Sequence, residues 1–144
     1  LVLVLSASVN AQVGFQAGLA VPITPTRFNR SHGFGLQTYY KGEIGSKTKL
    51  GGSIGLFHIN SSPGPNRQNI PILGTFDYSV SDKFYVGSDM GFIFIALQGG
   101  GNAGSIFAFA PKAGIKFNRF SFEGRMNISE EFFAAFLLGY SFGD

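Results

Sequence analysis

The 144 residues carry 11 Lys and Arg against 8 Asp and Glu, a formal charge of only +3, and the cations are dispersed rather than gathered into a stripe, which argues against nucleic-acid binding. Seventeen Phe, five Tyr and 21 Gly make the chain too apolar for disorder and too rich in glycine for long helices. With no cysteine, disulfides and thiolate metal sites are excluded, and stability has to come from sheet pairing and packing.

In chain order, Leu1 to Leu5 form a uniformly apolar run followed by Ser6, Ala7, Ser8, Val9, Asn10 and Ala11, the small-residue cleavage site of a secretory signal. We read residues 1–11 as a signal peptide truncated at its start, cleaved after Ala11, and residues 12–144 as one domain. The apolar run is far shorter than the ~20 residues a transmembrane helix needs.

Eight alternating segments follow. They are predicted at Val13 to Pro22, Gly33 to Ile44, Leu50 to Ile59, Gln68 to Val80, Phe84 to Leu97, Gly104 to Phe117, Phe120 to Ser129 and Phe132 to Phe142. In the seventh, Phe120, Phe122, Met126 and Ile128 share one face while Ser121, Glu123, Arg125 and Asn127 share the other, the period-two sorting of a strand. A strand of about 10 residues, rising about 3.3 Å per residue at a tilt near 40°, crosses about 25 Å, the apolar height of a membrane barrel. The second face is rich in small residues and poor in the charges that a soluble surface displays, so it suits a narrow lumen. The expected fold is all-β: an eight-stranded antiparallel up-and-down transmembrane barrel.

The connections support that topology. Gly45 to Lys49, Ser81 to Lys83 and Asn118 to Arg119 are tight, whereas Ile23 to His32, Asn60 to Arg67 and Gln98 to Ala103 are longer and rich in Pro, Gly, Asn and Ser. The last connection, at Glu130 and Glu131, breaks the pattern by being short. Short turns on one rim and long loops on the other give the periplasm-to-outside polarity of bacterial barrels. Tyr39, Tyr40, Tyr78, Phe84, Tyr85, Phe117, Phe120, Tyr140 and Phe142 lie near the short-turn rim and are expected to form an interfacial girdle.

Counting inward positions from the short turns places Lys41, Asp77, Asp89, Lys112, Glu123 and Arg125 at similar depth. If Phe117 faces Phe120, Lys112 lies opposite Arg125 and diagonal to Glu123. Because an unpaired buried charge is very costly, three cations and three anions at one level predict an ion-pair network that plugs the lumen. A proton or ion path through the same residues is the functional alternative.

The VNAQ end of the signal, the stretch NIPILGTFDYSVSDKFYVGSDMGF and the closing FLLGYSFGD resemble the small outer-membrane β-barrel domain proteins of Bacteroidota, and more loosely the OmpA transmembrane domain and OmpX-type barrels. The resemblance implies export, residence in the outer membrane, and insertion by an assembly machinery that reads the last strand, here Phe136, Leu138, Tyr140 and Phe142. It implies a fold and a location, and no catalytic signature.

Enzymatic and metal readings are weaker. Lipid A deacylase-like barrels need a histidine and a serine two residues apart near the outer rim; here His58 is followed by Ile59, Asn60 and Ser61, so asparagine stands where serine should. His32 and His58 have no carboxylate neighbours for a metal, and Gly99 to Gly101 lack the lysine of a phosphate loop. Arg27, Arg30, His32 and Arg67 fall in the first two long loops, where the arginines are expected to meet lipopolysaccharide phosphate or an external ligand. The reading is a monomeric, non-enzymatic envelope protein without cofactor, in a structural, adhesive or recognition role, in contact with outer-membrane lipid and lipopolysaccharide. Its main competitor is a soluble lipocalin-like binder of an apolar molecule.

Overall fold

The computed structural model describes residues 11–23, 30–61, 64–129 and 132–142. The proposed signal peptide falls almost entirely outside them, as do Arg27 and the Glu130–Glu131 connection. Eight strands are present: β1 (Ala11–Pro22), β2 (Arg30–Glu43), β3 (Thr48–Ser61), β4 (Arg67–Ser79), β5 (Phe84–Leu97), β6 (Asn102–Phe117), β7 (Phe120–Asn127) and β8 (Phe133–Phe142). Each pairs antiparallel with its sequence neighbours, and β8 returns to β1 to close the barrel.

Strand positions follow the alternation, with differences at the long-loop ends. β2 begins at Arg30 and reaches its regular pairing through a register shift between Arg30 and Gly33, so His32 belongs to a strand and not to a loop. β7 stops at Asn127, and beyond it Ile128 makes an isolated bridge to Phe109. Two prolines interrupt the ladders. With no N–H to donate, Pro71 leaves a gap in the β3–β4 pairing between Ile54↔Ile72 and Phe57↔Asn69. Pro111 does the same to β6–β7 between Lys112↔Arg125 and the Phe109↔Ile128 bridge. Each proline still pairs on its other side, with Ile93 and Ser88 respectively.

The large side chains stand outside. Phe34, Phe92, Phe107, Phe117, Phe120, Phe122, Phe136 and Leu138 are all exposed on the barrel wall, whereas Asp77, Asp89, Glu123, Lys112 and Arg125 are buried within it. This inverts a water-soluble barrel, and it inverts the lipocalin-like alternative, which needs apolar groups facing the centre and polar groups facing water.

Inside, two storeys differ in chemistry. The half toward the short turns holds the ions. The half toward the long loops is packed with apolar groups: Ala20 with Phe57 and Leu137 in one cluster, and Ile93, Ile95 and Ala108 in another, both resting on Phe133. The alternation does not mark this apolar inner half, because there both faces of β5 are hydrophobic.

Candidate functional site: the ionic lumen

Every inward residue of the lower storey comes from a strand whose other phase carries the apolar exterior, so the same period that sends Phe122 outward sends Glu123 inward. Six strands contribute. β7 supplies Glu123 and Arg125, β6 supplies Lys112, β5 Tyr85 and Asp89, β4 Thr75 and Asp77, β2 Gln37, Tyr39 and Lys41, and β1 Gln16.

Lys112 sits at the centre. Its Nζ lies 2.6 Å from Asp89 Oδ1 and 2.9 Å from Asp77 Oδ1, donates to Thr75 Oγ1 at 2.5 Å, and stands 3.9 Å from Glu123 Oε2. Lys41 Nζ holds the other oxygen of Asp77 at 2.7 Å. The Arg125 guanidinium forks between carboxylates, with Nη2 2.6 Å from Glu123 Oε1 and Nη1 3.1 Å from Asp89 Oδ2, the planar multi-donor geometry that arginine provides and lysine cannot. Asp77 Oδ1 and Asp89 Oδ2 are thus held by charge at short range rather than by aligned hydrogen bonds.

Polar neighbours complete the cluster. Tyr85 donates its hydroxyl to Glu123 Oε2 at 2.8 Å, Arg125 Nη1 donates to Gln37 Oε1 at 3.2 Å, and Gln37 passes the chain on to Gln16 at 2.5 Å. Lys41 also lies 4.6 Å from the centroid of the Tyr39 ring, and Lys116 4.8 Å from that of Tyr85. Three cations and three anions meet, so the cluster is neutral as a whole.

Tyr39 and Tyr85 therefore leave the expected girdle: both are buried and point inward. Room for their rings is made by glycines on the adjoining strands, since a Cβ at Gly14 would meet Tyr39 and one at Gly114 would meet the ring and hydroxyl of Tyr85. The exposed rim aromatics are Tyr40, Tyr78, Phe84, Phe117, Phe120 and Phe142. Tyr140 is half-buried and stacks edge-on against Phe120 at 5.2 Å.

Around the network little space remains. A cavity of about 20 Å³ above it is lined by Phe57, Asn69, Pro71, Leu73, Ile93, Arg125, Asn127, Phe133 and Ala135. One of about 10 Å³ lies toward the short turns, beside Gln16, Tyr39, Lys41, Tyr85 and Lys116. Volumes of this size hold about one water molecule each and no apolar ligand.

The arginines expected to meet phosphate are divided. Arg67 opens β4 with the inward phase; it is 6% exposed and its Nε donates to Asn69 Oδ1 at 2.8 Å, so it belongs to the top of the lumen and not to a loop. Arg27 lies outside the described residues, and of Arg30 only the backbone, at the start of β2, is described. His58 faces outward at the long-loop end, 5.5 Å from the Phe34 ring and paired with Gln68, and the Asn60 amide donates to the His32 carbonyl at 3.3 Å. No three His, Cys, Asp or Glu side chains among the described residues are arranged to hold a metal.

No protein-family model matches the chain, and no curated protein is similar to it in sequence. Its fold does have counterparts. OprG, an outer membrane protein of Pseudomonas aeruginosa, superimposes with a TM-score of 0.59 at 8% identity over 96% of this chain and 99% of its own. A de novo designed transmembrane β-barrel gives 0.58 at 8% identity over 91% and 95%. The chain has the fold of small transmembrane β-barrels. Ail, the attachment invasion locus protein of Yersinia pestis, shares this barrel with a TM-score of 0.55 at 13% identity over 92% and 97%. Ail is also known in complex with the heparin analogue sucrose octasulfate; that structure gives a TM-score of 0.50 at 14% identity over 92% and 97%. At these identities the likeness is one of architecture.

Proposed function

We propose that this protein is a non-enzymatic barrel of the bacterial outer membrane, closed to solute flow by its own side chains and serving the envelope through its wall and its long-loop rim. The observation that carries this reading is the six-residue ionic cluster buried behind a phenylalanine exterior. An ion entering the lumen has to displace Lys112 from two carboxylates in the lower storey and then cross the largely apolar storey above, where Phe57, Ile93, Ile95 and Leu137 surround the few inward polar groups Arg67, Asn69 and Asn127. The interior therefore acts as a plug and a brace.

In this reading the finer likeness to the Bacteroidota barrel domain proteins rests on the sequence stretches that carry it. The outward Phe136, Leu138, Tyr140 and Phe142 of β8 serve as the signal read by the assembly machinery, and the barrel is a monomer. Arg27 and Arg30 contact lipopolysaccharide phosphate or a sulfated or phosphorylated glycan at the long-loop rim. The complex of Ail with a polysulfated sugar supports polyanion recognition by a barrel of this architecture. Among the described residues His58 has Phe34 and Gln68 as its cross-strand neighbours, neither of which supports a hydrolytic role.

Planar-bilayer recording tests the plug. The purified protein, inserted at neutral pH, is expected to give no steady large single-channel current; a stable open channel of porin-like conductance would refute it.

A further inference from the structure

Two buried amides enter the largely apolar upper storey from strands three apart in the ring of eight. Asn69 of β4 and Asn127 of β7 are 2% and 3% exposed. Arg67 Nε donates to Asn69 Oδ1 at 2.8 Å, and because an arginine offers only donors, this bond fixes which way the amide faces, with its NH2 turned away from the guanidinium. That NH2, Asn69 Nδ2, is buried and has no hydrogen-bond partner on the protein. Leaving a buried amide donor unmade is costly, and native interiors rarely do so.

Asn69 and Asn127 line the same cavity of about 20 Å³, between Arg125 of the ionic cluster and the apolar side chains of Phe57, Leu73, Ile93 and Phe133. One water needs about 10–15 Å³ and at least two polar partners, and this niche supplies both, while any larger solute is excluded by size. We propose that the cavity is a binding site for one long-lived water molecule, which accepts a hydrogen bond from Asn69 Nδ2 and shares another with the Asn127 amide. The site presupposes the closed lumen proposed above and adds a component to it. Its place in the wall gives it a use. Asn69 pairs with Phe57 at the upper border of the ladder gap beside Pro71, and Asn127 lies within the gap between Lys112↔Arg125 and the Phe109↔Ile128 bridge. The water thus links β4 to β7 through the lumen at the height where both ladders lapse.

The test uses the full chain, labelled with nitrogen-15, deuterated at carbon and refolded into micelles, with NOE and ROE spectra read from water to the side-chain amides. A water that tumbles with the protein gives NOE and ROE of opposite sign, and this is expected at Asn69 and at Asn127. In Asn69→Leu the contact at Asn127 should be lost, and in Asn127→Leu the contact at Asn69, because either change fills the niche and removes one partner. No such contact at the two asparagines of the native chain overturns the inference, as does a contact at Asn127 that survives in folded Asn69→Leu; the native spectra decide it if neither variant folds. NOE and ROE of the same sign at Asn69, Asn127, Gln16 and Gln37 alike would show freely exchanging water along the whole lumen and refute the plug beneath the site as well.

Discussion

Replacing Lys112 with methionine is expected to lower the unfolding free energy of the barrel by about 3–5 kcal/mol, the usual consequence of removing one partner from a buried ion pair. The methionine preserves most of the side-chain volume, so the loss is electrostatic. Asp89 keeps Arg125 and Asp77 keeps Lys41, but the cluster is left with one negative charge in excess and with Thr75 lacking its donor. Urea titration in vesicles, read by the shift between folded and unfolded gel mobility, measures the effect. The double variant Lys112→Met, Asp89→Asn restores neutrality and should recover part of it. A single variant as stable as the parent would mean that the charges do not brace one another.

The second large effect is expected on the other face. Phe92, midway along β5, is exposed on the wall and packs edge-on against Phe107 at 5.7 Å. Phe92→Arg places a cation in the apolar band and should cost about 2–4 kcal/mol, the penalty for arginine near the bilayer midplane of a barrel. The same urea titration checks it. In a soluble barrel an arginine at an exposed site would be neutral or would improve solubility, so a harmless substitution here argues against lipid contact.

The two predictions concern opposite phases of the strands, and phase is what the sequence made legible. In β7 the alternation of Phe120, Phe122 and Met126 with Ser121, Glu123 and Arg125 is unbroken, and its two-residue turn pairs Phe117 with Phe120, so the position of Lys112 opposite Arg125 follows from counting. The inward placement of Lys41, Asp77 and Asp89 follows in the same way from the turns below them.

Rim position alone puts Tyr39 and Tyr85 in the girdle, whereas strand phase turns both inward. Tyr39 and Tyr40 are consecutive and must face opposite ways, and Tyr85 lies between outward Phe84 and Val86. Arg67 was obscured differently. It follows a stretch of Ser, Pro, Gly and Asn that reads as loop, although its spacing from Asn69, Leu73, Thr75 and Asp77 gives it the inward phase of β4. The apolar storey was hidden by β5, where Phe92 and Phe94 point out and Ile93 and Ile95 point in, so that no polar residue marks the lumen side. Gln16, Gln37 and Thr75 join the cluster through cross-strand contacts that only the closed barrel creates.

Membrane residence requires that the phenylalanine face of the wall meet hydrocarbon. Because the native chain contains no cysteine, single cysteines at Ser121, Phe122, Gly124, Met126 and Asn127 of β7 can be spin-labelled one at a time in the vesicle-inserted protein and probed with oxygen, which partitions into lipid, and with a water-soluble nickel complex. The expected result is high oxygen accessibility at 122, 124 and 126 and low accessibility to both probes at 121 and 127. Nickel accessibility at 122, 124 and 126 would place the phenylalanine face in water and contradict the membrane orientation.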